Sequence, residues 1–476
     1  MKKIFMPMSA AALLFLGCDK NDNTGDADTP EFKNRSNAET LLTIDPAFSS
    51  LVNAYTLISS SDTIPGYPNF VYGGTPDGQG FLENPDGTGY IMVTNHENTF
   101  AISRVYLDKK LNPVKGEYIV NSEGGMFRLC SGTLATPQEH GFPQYTFLST
   151  GESNVNAMTH AVDPIGPADA TNQYRVKPAL GKFSGENSVP LPKDAFPGKT
   201  VIILGEDASN GQVYLYVSNT PGDLETGKLY ALRRTNLNQI ETSMSKGNTY
   251  DVEFVEVPGA KNLTGTQIED MNSILNPIQF ARVEDLDYRK GGGANSREIY
   301  FTATGISGVP EKTYWGRVYR LKLNASGPLQ GTLEVIEDGD MAPGVEVINP
   351  DNLCVTNNYV YIQEDGDSFF PGATHNSLIW QYDIATGTKK KMIDLKNQTL
   401  GNTKFNPTND QRFAAWEWGA MVDISDIIGV PNTFTVNIHP HSWVEDNRFY
   451  NPSRSLNNIQ PYRAGGQTLI LKGVPR

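Results

Sequence analysis

The chain has 476 residues with 39 basic and 53 acidic side chains, a net charge of −14, 38% hydrophobic content, 45 glycines and 30 prolines. So acidic a surface argues against nucleic-acid binding, and an anionic substrate would have to meet local positive charge, from arginine or bound cations, before it could enter a site. The apolar content is enough for a large core, and the many Gly and Pro residues suit a turn-rich all-β domain.

Lys2 and Lys3 precede an apolar stretch from Ala10 to Leu16 and then Gly17-Cys18. This is the pattern of a lipoprotein signal over 1–17, too short for a membrane span, with Cys18 as the expected lipidation site. Several acyl chains there would anchor the chain to the outer membrane, with the domain on the cell surface or the periplasmic face. Residues 18–40 begin as a polar, acidic run, Asp19 to Glu31, and are expected to form a disordered tether. The remainder, 41–476, reads as one domain, expected to act as a monomer.

From there a single rhythm recurs: an apolar strand that breaks into acid. Ile91-Met92-Val93-Thr94 stops at Asn95-His96-Glu97, Tyr145 to Thr150 stops at Gly151-Glu152, Thr200 to Leu204 stops at Gly205-Glu206-Asp207, and Tyr359 to Gln363 stops at Glu364-Asp365. Carboxylates collected at successive strand ends repel one another unless cations lie between them. Each such strand is followed by another of alternating pattern, such as Gln212 to Tyr216 or Leu378 to Tyr382, and strand, turn, strand at a long period is the rhythm of a β-propeller. Unequal insertions, Pro164 to Leu180 and Leu237 to Gln279, obscure the blade number. The second contains Thr264 to Leu275, which reads as a short amphipathic helix lying over the propeller.

Several residues carry potential chemistry. Cys130, in Leu129-Cys130-Ser131-Gly132, reads either as a packed hydrophobe or as a thiolate suited to a transition metal. Arg282 and Glu284 would share one face of an extended strand, as a phosphate clamp beside a metal-binding acid or as a plain ion pair. Glu186 and Asp351 stand in turns, and Asp365-Gly366-Asp367 has the spacing of a hard-cation site. His439 and His441 form the only close histidine pair. An i, i+2 pair on a strand can bind metal, although packing is the commoner role. There is no P-loop, dinucleotide fingerprint or Gly-x-Ser-x-Gly elbow.

In their order along the chain, Asn95-His96-Glu97, Leu129-Cys130-Ser131-Gly132 with Gly151-Glu152, Leu180 to Glu186, Glu206-Asp207 with Tyr214 to Val217, Arg282-Val283-Glu284, Pro350-Asp351-Asn352 and Asn437-Ile438-His439-Pro440 resemble the PhoX family of alkaline phosphatases. The chain departs from the family pattern at Asn98, at Gly185 and in lacking a Trp between Gly132 and Phe147. The resemblance implies a six-bladed propeller that hydrolyses phosphate monoesters at a central cluster of iron and calcium. It implies Glu97, Cys130, Glu152, Glu186, Glu206, Glu284 and Asp351 as metal ligands, and Arg282 as the catalytic, phosphate-binding residue. Two further readings remain at this stage: a non-catalytic surface propeller with structural calcium that binds a glycan or peptide, and a calcium propeller that cleaves phytate-like phosphodiesters or lactones.

Overall fold

The structure, a computed structural model, describes residues 29–366, 372–444 and 464–476. Cys18, the expected signal over 1–17 and Asp367 lie outside the described residues. The packed region starts earlier than Leu41. The ring of Phe32 lies 5.9 Å from that of Tyr55, and the amide of Arg35 donates to the carbonyl of Thr56 at 2.8 Å, so the last part of the expected tether already belongs to the domain.

The domain is all-β apart from short helical turns and the helix Gly265–Leu275. That helix forms where expected, and its start is fixed by a capping box: Thr264 accepts from the amide of Gln267, whose side chain accepts in return from the amide of Thr264. Ile268 is fully buried under it, as the apolar face requires.

The strands form five hydrogen-bonded sheets, all antiparallel. Four are blade-like, with three to five strands each. The fifth has nine strands, because Thr249–Glu256 pairs with Gln330–Asp338 and so joins two units along their outer edges. This corrects the expectation of six separate blades. The joined sheet doubles back until its two end strands, Gly185–Pro190 and Val283–Tyr288, lie side by side. It closes on one apolar core in which Ile203, Leu215 and Leu232 from one half pack with Phe301, Tyr319 and Leu333 from the other. Once the two outer strands had paired, both halves could bury their apolar faces in one shared core.

Six strands line the centre: Pro76–Glu83, Arg128–Ala135, Gly185–Pro190, Val283–Tyr288, Pro350–Val355 and Glu417–Asp423. Each adjoins the next, and the last returns to the first. The seam is closed by chain ends, since Asn53–Ser59 pairs with Gln467–Lys472 and Leu42–Ile44 pairs with Lys389–Leu395.

One irregularity recurs in all six lining strands. The register with the second strand slips between Pro76 and Gln79, Leu129 and Gly132, Gly185 and Ser188, Val283 and Leu286, Pro350 and Leu353, and Trp418 and Met421. A bulge turns the side chains it carries out of the sheet's alternation, toward the axis or toward the neighbouring strand. Its second residue tends to tie neighbouring sheets together. Asn187 donates to Asp285 Oδ1 at 2.5 Å, Asp285 Oδ2 accepts from the amide of Leu353 at 3.0 Å, and Asn352 donates to the carbonyl of Trp418 at 3.3 Å. Across the axis the Ser131 hydroxyl donates to Asn352 Oδ1 at 3.2 Å.

In the first bulge the second residue is Gly78, where a Cβ would lie 2.2 Å from the amide nitrogen of Gly132 and 2.8 Å from the carbonyl oxygen of Cys130. Only glycine allows the two strands to approach this closely. Gly78→Ala is therefore expected to destabilise the fold by about 1–3 kcal/mol in urea unfolding. Gly327→Ala, at a position with open space around it, should stay within about 0.5 kcal/mol of the parent.

Candidate metal centre

The bulges and the strand ends meet at the same end of the ring. The first bulge residue is Asp77, Cys130, Glu186, Glu284 and Asp351 in five strands, and Gly419 in the sixth. The register pairs the residue before each bulge with His96, Gly151, Glu206, Ala303, Glu364 and Ile438 on the second strands. One residue further on stand Glu97, Glu152, Asp207, Thr304, Asp365 and His439. Two tiers of side chains, one from the bulges and one from the strand ends, thus converge.

All members of the two tiers except Gly419, Thr304 and His439 line a cavity of about 680 Å³, whose acids and thiol are Asp77, Glu97, Glu152, Glu186, Asp207, Glu284, Asp351, Asp365, Asp410, Glu417 and Cys130. Three guanidiniums face these ten carboxylates: Arg128, Arg282 and Arg412. Four sets of ligand atoms lie within 4.8 Å of one another: Asp77–Cys130–Glu186, Glu97–Cys130–Glu152, Glu186–Glu284–Asp351 and Asp351–Asp365–Glu417. Shared members make these one chain of overlapping sites.

Of the expected ligands, Glu97, Cys130, Glu152, Glu186, Glu284 and Asp351 are brought together here, with Arg282 beside them. Glu206 is not. Successive strand residues face opposite sides, and Glu206 stands on the side turned away from the cavity. There its carboxylate accepts from the amide of Gln212 at 3.2 Å and the hydroxyl of Tyr214 at 3.4 Å, and burial raises its pKa to about 8. Its neighbour Asp207 takes the place expected for it. The same parity separates Glu364, buried under Trp380, from Asp365.

Arg282 also departs from expectation, since it is not in an extended strand. Its φ is +63°, just before Val283–Tyr288 begins. A non-glycine residue held in the left-handed region is a strain that surrounding contacts must outweigh. Here those contacts are Asp207 Oδ1, 2.8 Å from Nε, and Glu284 Oε1, 2.8 Å from Nη2. Nη1 has no hydrogen-bond partner among the described residues. Arg128 is held likewise, with Nη1 donating to Glu97 Oε1 at 3.0 Å.

Asn95 supports Cys130 from behind: its amide donates to the Cys130 carbonyl at 2.6 Å, and its oxygen accepts from Ser149 at 3.0 Å. The Cys130 thiol donates to Glu152 Oε2 at 2.9 Å. Both described cysteines are free. Cys354 packs in the apolar core.

Without cations the electrostatics of this site are unfavourable. Burial first, then neighbouring carboxylates, push the pKa of Asp77, Glu186, Glu284 and Asp351 well above the usual range, and Glu152 to about 7. Burial and the surrounding acids raise the Cys130 thiol in the same way. Glu417 behaves oppositely: burial works to raise it, but His439 and His441 outweigh that and hold it low. Asp77 Oδ1 is buried with no hydrogen-bond partner, and Glu284 Oε1 has only the ion pair to Arg282. An unpartnered buried acceptor, carboxyls with raised pKa and a thiol together are a donor set that divalent cations would satisfy.

Asp77, Asp207, Glu417 and Arg128 were not picked out as ligands or clamps from the sequence, whereas Asp365 was, as part of a possible hard-cation site at Asp365-Gly366-Asp367. Asp207 and Asp365 carried a signal, being strand-end acids, whereas Asp77 follows no acid-terminated strand.

No family model matches the sequence, and no curated protein matches it. Among solved structures, PhoX of Pseudomonas fluorescens in complex with vanadate, a transition state analogue, is similar over 93% of this chain and 98% of that one, with a TM-score of 0.63 and 14% identity. An α-L-arabinanase from Penicillium chrysogenum complexed with arabinobiose (TM-score 0.40, 11% identity, 87% and 97% coverage) is a more distant match. So is a PQQ-bound aldose sugar dehydrogenase from Streptomyces coelicolor (0.37, 10%, 88% and 98%). At these identities the likeness is one of fold.

The raised carboxyls give a pH dependence with a definite sign. Between the ordinary glutamate value of 4.5 and the folded value of about 7 for Glu152, the cation-free folded chain binds more protons than the unfolded one, so stability falls as pH rises. Chelator-stripped protein is expected to lose more than about 1 kcal/mol between pH 5 and pH 8. Divalent cations added at pH 8 should restore it, as read by thermal unfolding.

Proposed function

We propose that the protein hydrolyses phosphate monoesters as a metal-dependent phosphatase. The observation that carries this reading is the placement of Arg282: a guanidinium at the edge of a cation-binding cavity, held on two sides by carboxylates and with one nitrogen unengaged. The PhoX-like fold, and the vanadate that the Pseudomonas fluorescens protein holds, support the same reaction class.

Glu97, Cys130, Glu152, Glu186, Glu284 and Asp351, with Asp77, Asp207, Asp365 and Glu417, would hold the cations; iron at the thiolate and calcium among the carboxylates suit these donors. When bound, the cations supply Lewis-acid polarisation of the phosphoryl oxygens. Arg282 would grip equatorial oxygens of the phosphoryl group through its free edge, while Asp207 and Glu284 fix the guanidinium so that no reorganisation is needed at the transition state. Arg128, clamped by Glu97, offers a second positive group to the substrate. Asn95 and Ser149 keep the Cys130 backbone in register with the ring. The chain would work as a monomer on the outer membrane, carried by lipid on Cys18, a placement supported by its signal-like N-terminus.

Arg282→Ala is expected to lower hydrolysis of p-nitrophenyl phosphate by about 10²-fold or more, with metal content unchanged by elemental analysis. Undiminished turnover in this variant would remove Arg282 from the reaction. Elemental analysis of the parent protein that finds calcium without iron, together with no hydrolysis of phosphate monoesters, would favour the glycan- or peptide-binding reading.

A further inference from the structure

Five of the six second strands present a carboxylate or, at Thr304, a hydroxyl one residue beyond the bulge register; the sixth presents the imidazole of His439. On the facing strand the bulge residue is Gly419, where a Cβ would lie 2.4 Å from the carbonyl oxygen of Pro76 and 2.8 Å from His439 Nε2. The sixth sheet thus has no side-chain ligand at its bulge, where the Pro76 carbonyl and the imidazole that contacts it lie close.

His439 is fully buried, and its two nitrogens have different surroundings. Nε2 lies 2.8 Å from the carbonyl oxygen of Pro76, which can only accept, so Nε2 carries a hydrogen. Nδ1 lies 3.1 Å from Glu417 Oε1 but makes no hydrogen bond. An imidazole whose far nitrogen donates to a backbone carbonyl is oriented as metal-binding histidines are. His441, two residues on, brings Nε2 to 2.8 Å from the other oxygen of Glu417, and the three ligand atoms lie within 4.8 Å of one another.

We infer that Glu417, His439 and His441 form a separate site for a borderline divalent cation such as Zn²⁺, at the rim of the acidic cavity. Two imidazoles and one carboxylate are a donor set for zinc and the later first-row metals, whereas the acids alone favour calcium or magnesium. The cation would be held between His439 Nδ1 and Glu417 Oε1, which stand 3.1 Å apart with no hydrogen bond between them. Glu417 is also a member of the Asp351–Asp365–Glu417 set, so this carboxylate would link the nitrogen-bearing site to the central one. The inference does not rest on the phosphatase reading, because its evidence and its test concern binding alone.

Full-length protein stripped with chelator and titrated with Co²⁺ provides the test. The parent should bind one more Co²⁺ than His441→Ala, a change at a partly exposed residue, and the lost ion should remove ligand-field absorption without removing the thiolate-to-cobalt charge-transfer band that belongs to Cys130. In Cys130→Ser the charge-transfer band should go and the His441-dependent ion stay. Equal Co²⁺ stoichiometry and spectra for His441→Ala and the parent would overturn the site, with the central cluster then the only cobalt-binding position. Pulsed electron paramagnetic resonance of the Cu²⁺-loaded parent gives an independent reading: modulation from two imidazoles is expected, and its absence would also overturn the site.

Discussion

Like charge held close together is the constraint around which this molecule is built. Ten carboxylates share one cavity with only three guanidiniums, a deficit of positive charge that a low-dielectric site tolerates only by protonating acids or by binding cations. The backbone device that creates the problem also locates the site. A bulge at the same height recurs in all six lining strands; in five of them it directs acid or thiol toward the axis, and in several the following residue binds the next sheet. Framework and chemistry therefore occupy adjacent residues, and a change at one affects the other.

How much of this was legible in the sequence depended on the kind of signal. Strands ending in acid announced a converging cluster, and Glu97 and Glu152 stand in it; Cys130, Glu186, Glu284 and Asp351 were implied as ligands by the family resemblance, and their side chains line the same cavity. The capping box at Thr264 was visible as a local pattern. Glu206 misled because two acids stand side by side at the end of one strand, and composition cannot say which parity faces the axis; the pairing of Gly185 with Glu206 decides it. Arg282 was read as a strand residue because nothing local marks a left-handed arginine. The joining of two blades was also hidden, since the pairing of Thr249–Glu256 with Gln330–Asp338 depends on strands that are far apart in sequence.

The histidines show a different limit. His439 looked like an ordinary packed side chain, and it is indeed fully buried. Its significance comes from standing at the register position that Glu97, Glu152, Asp207 and Asp365 fill in other sheets, a correspondence that exists only once the strands are paired. Gly419, which says nothing by itself, becomes informative for the same reason: it is the one lining position that withholds a ligand.

The seam bears on how the chain reaches this state. Asn53–Ser59 completes a sheet whose other members come from the last part of the chain, and Leu42–Ile44 completes the sheet before it. During synthesis these early strands have no partners until nearly all the rest has been made, so their unpaired edges stay open to wrong pairing for most of translation. Final docking is a long-range event, slow by its loop-closure entropy, and the acidic cavity is enclosed on all sides only after that docking is complete.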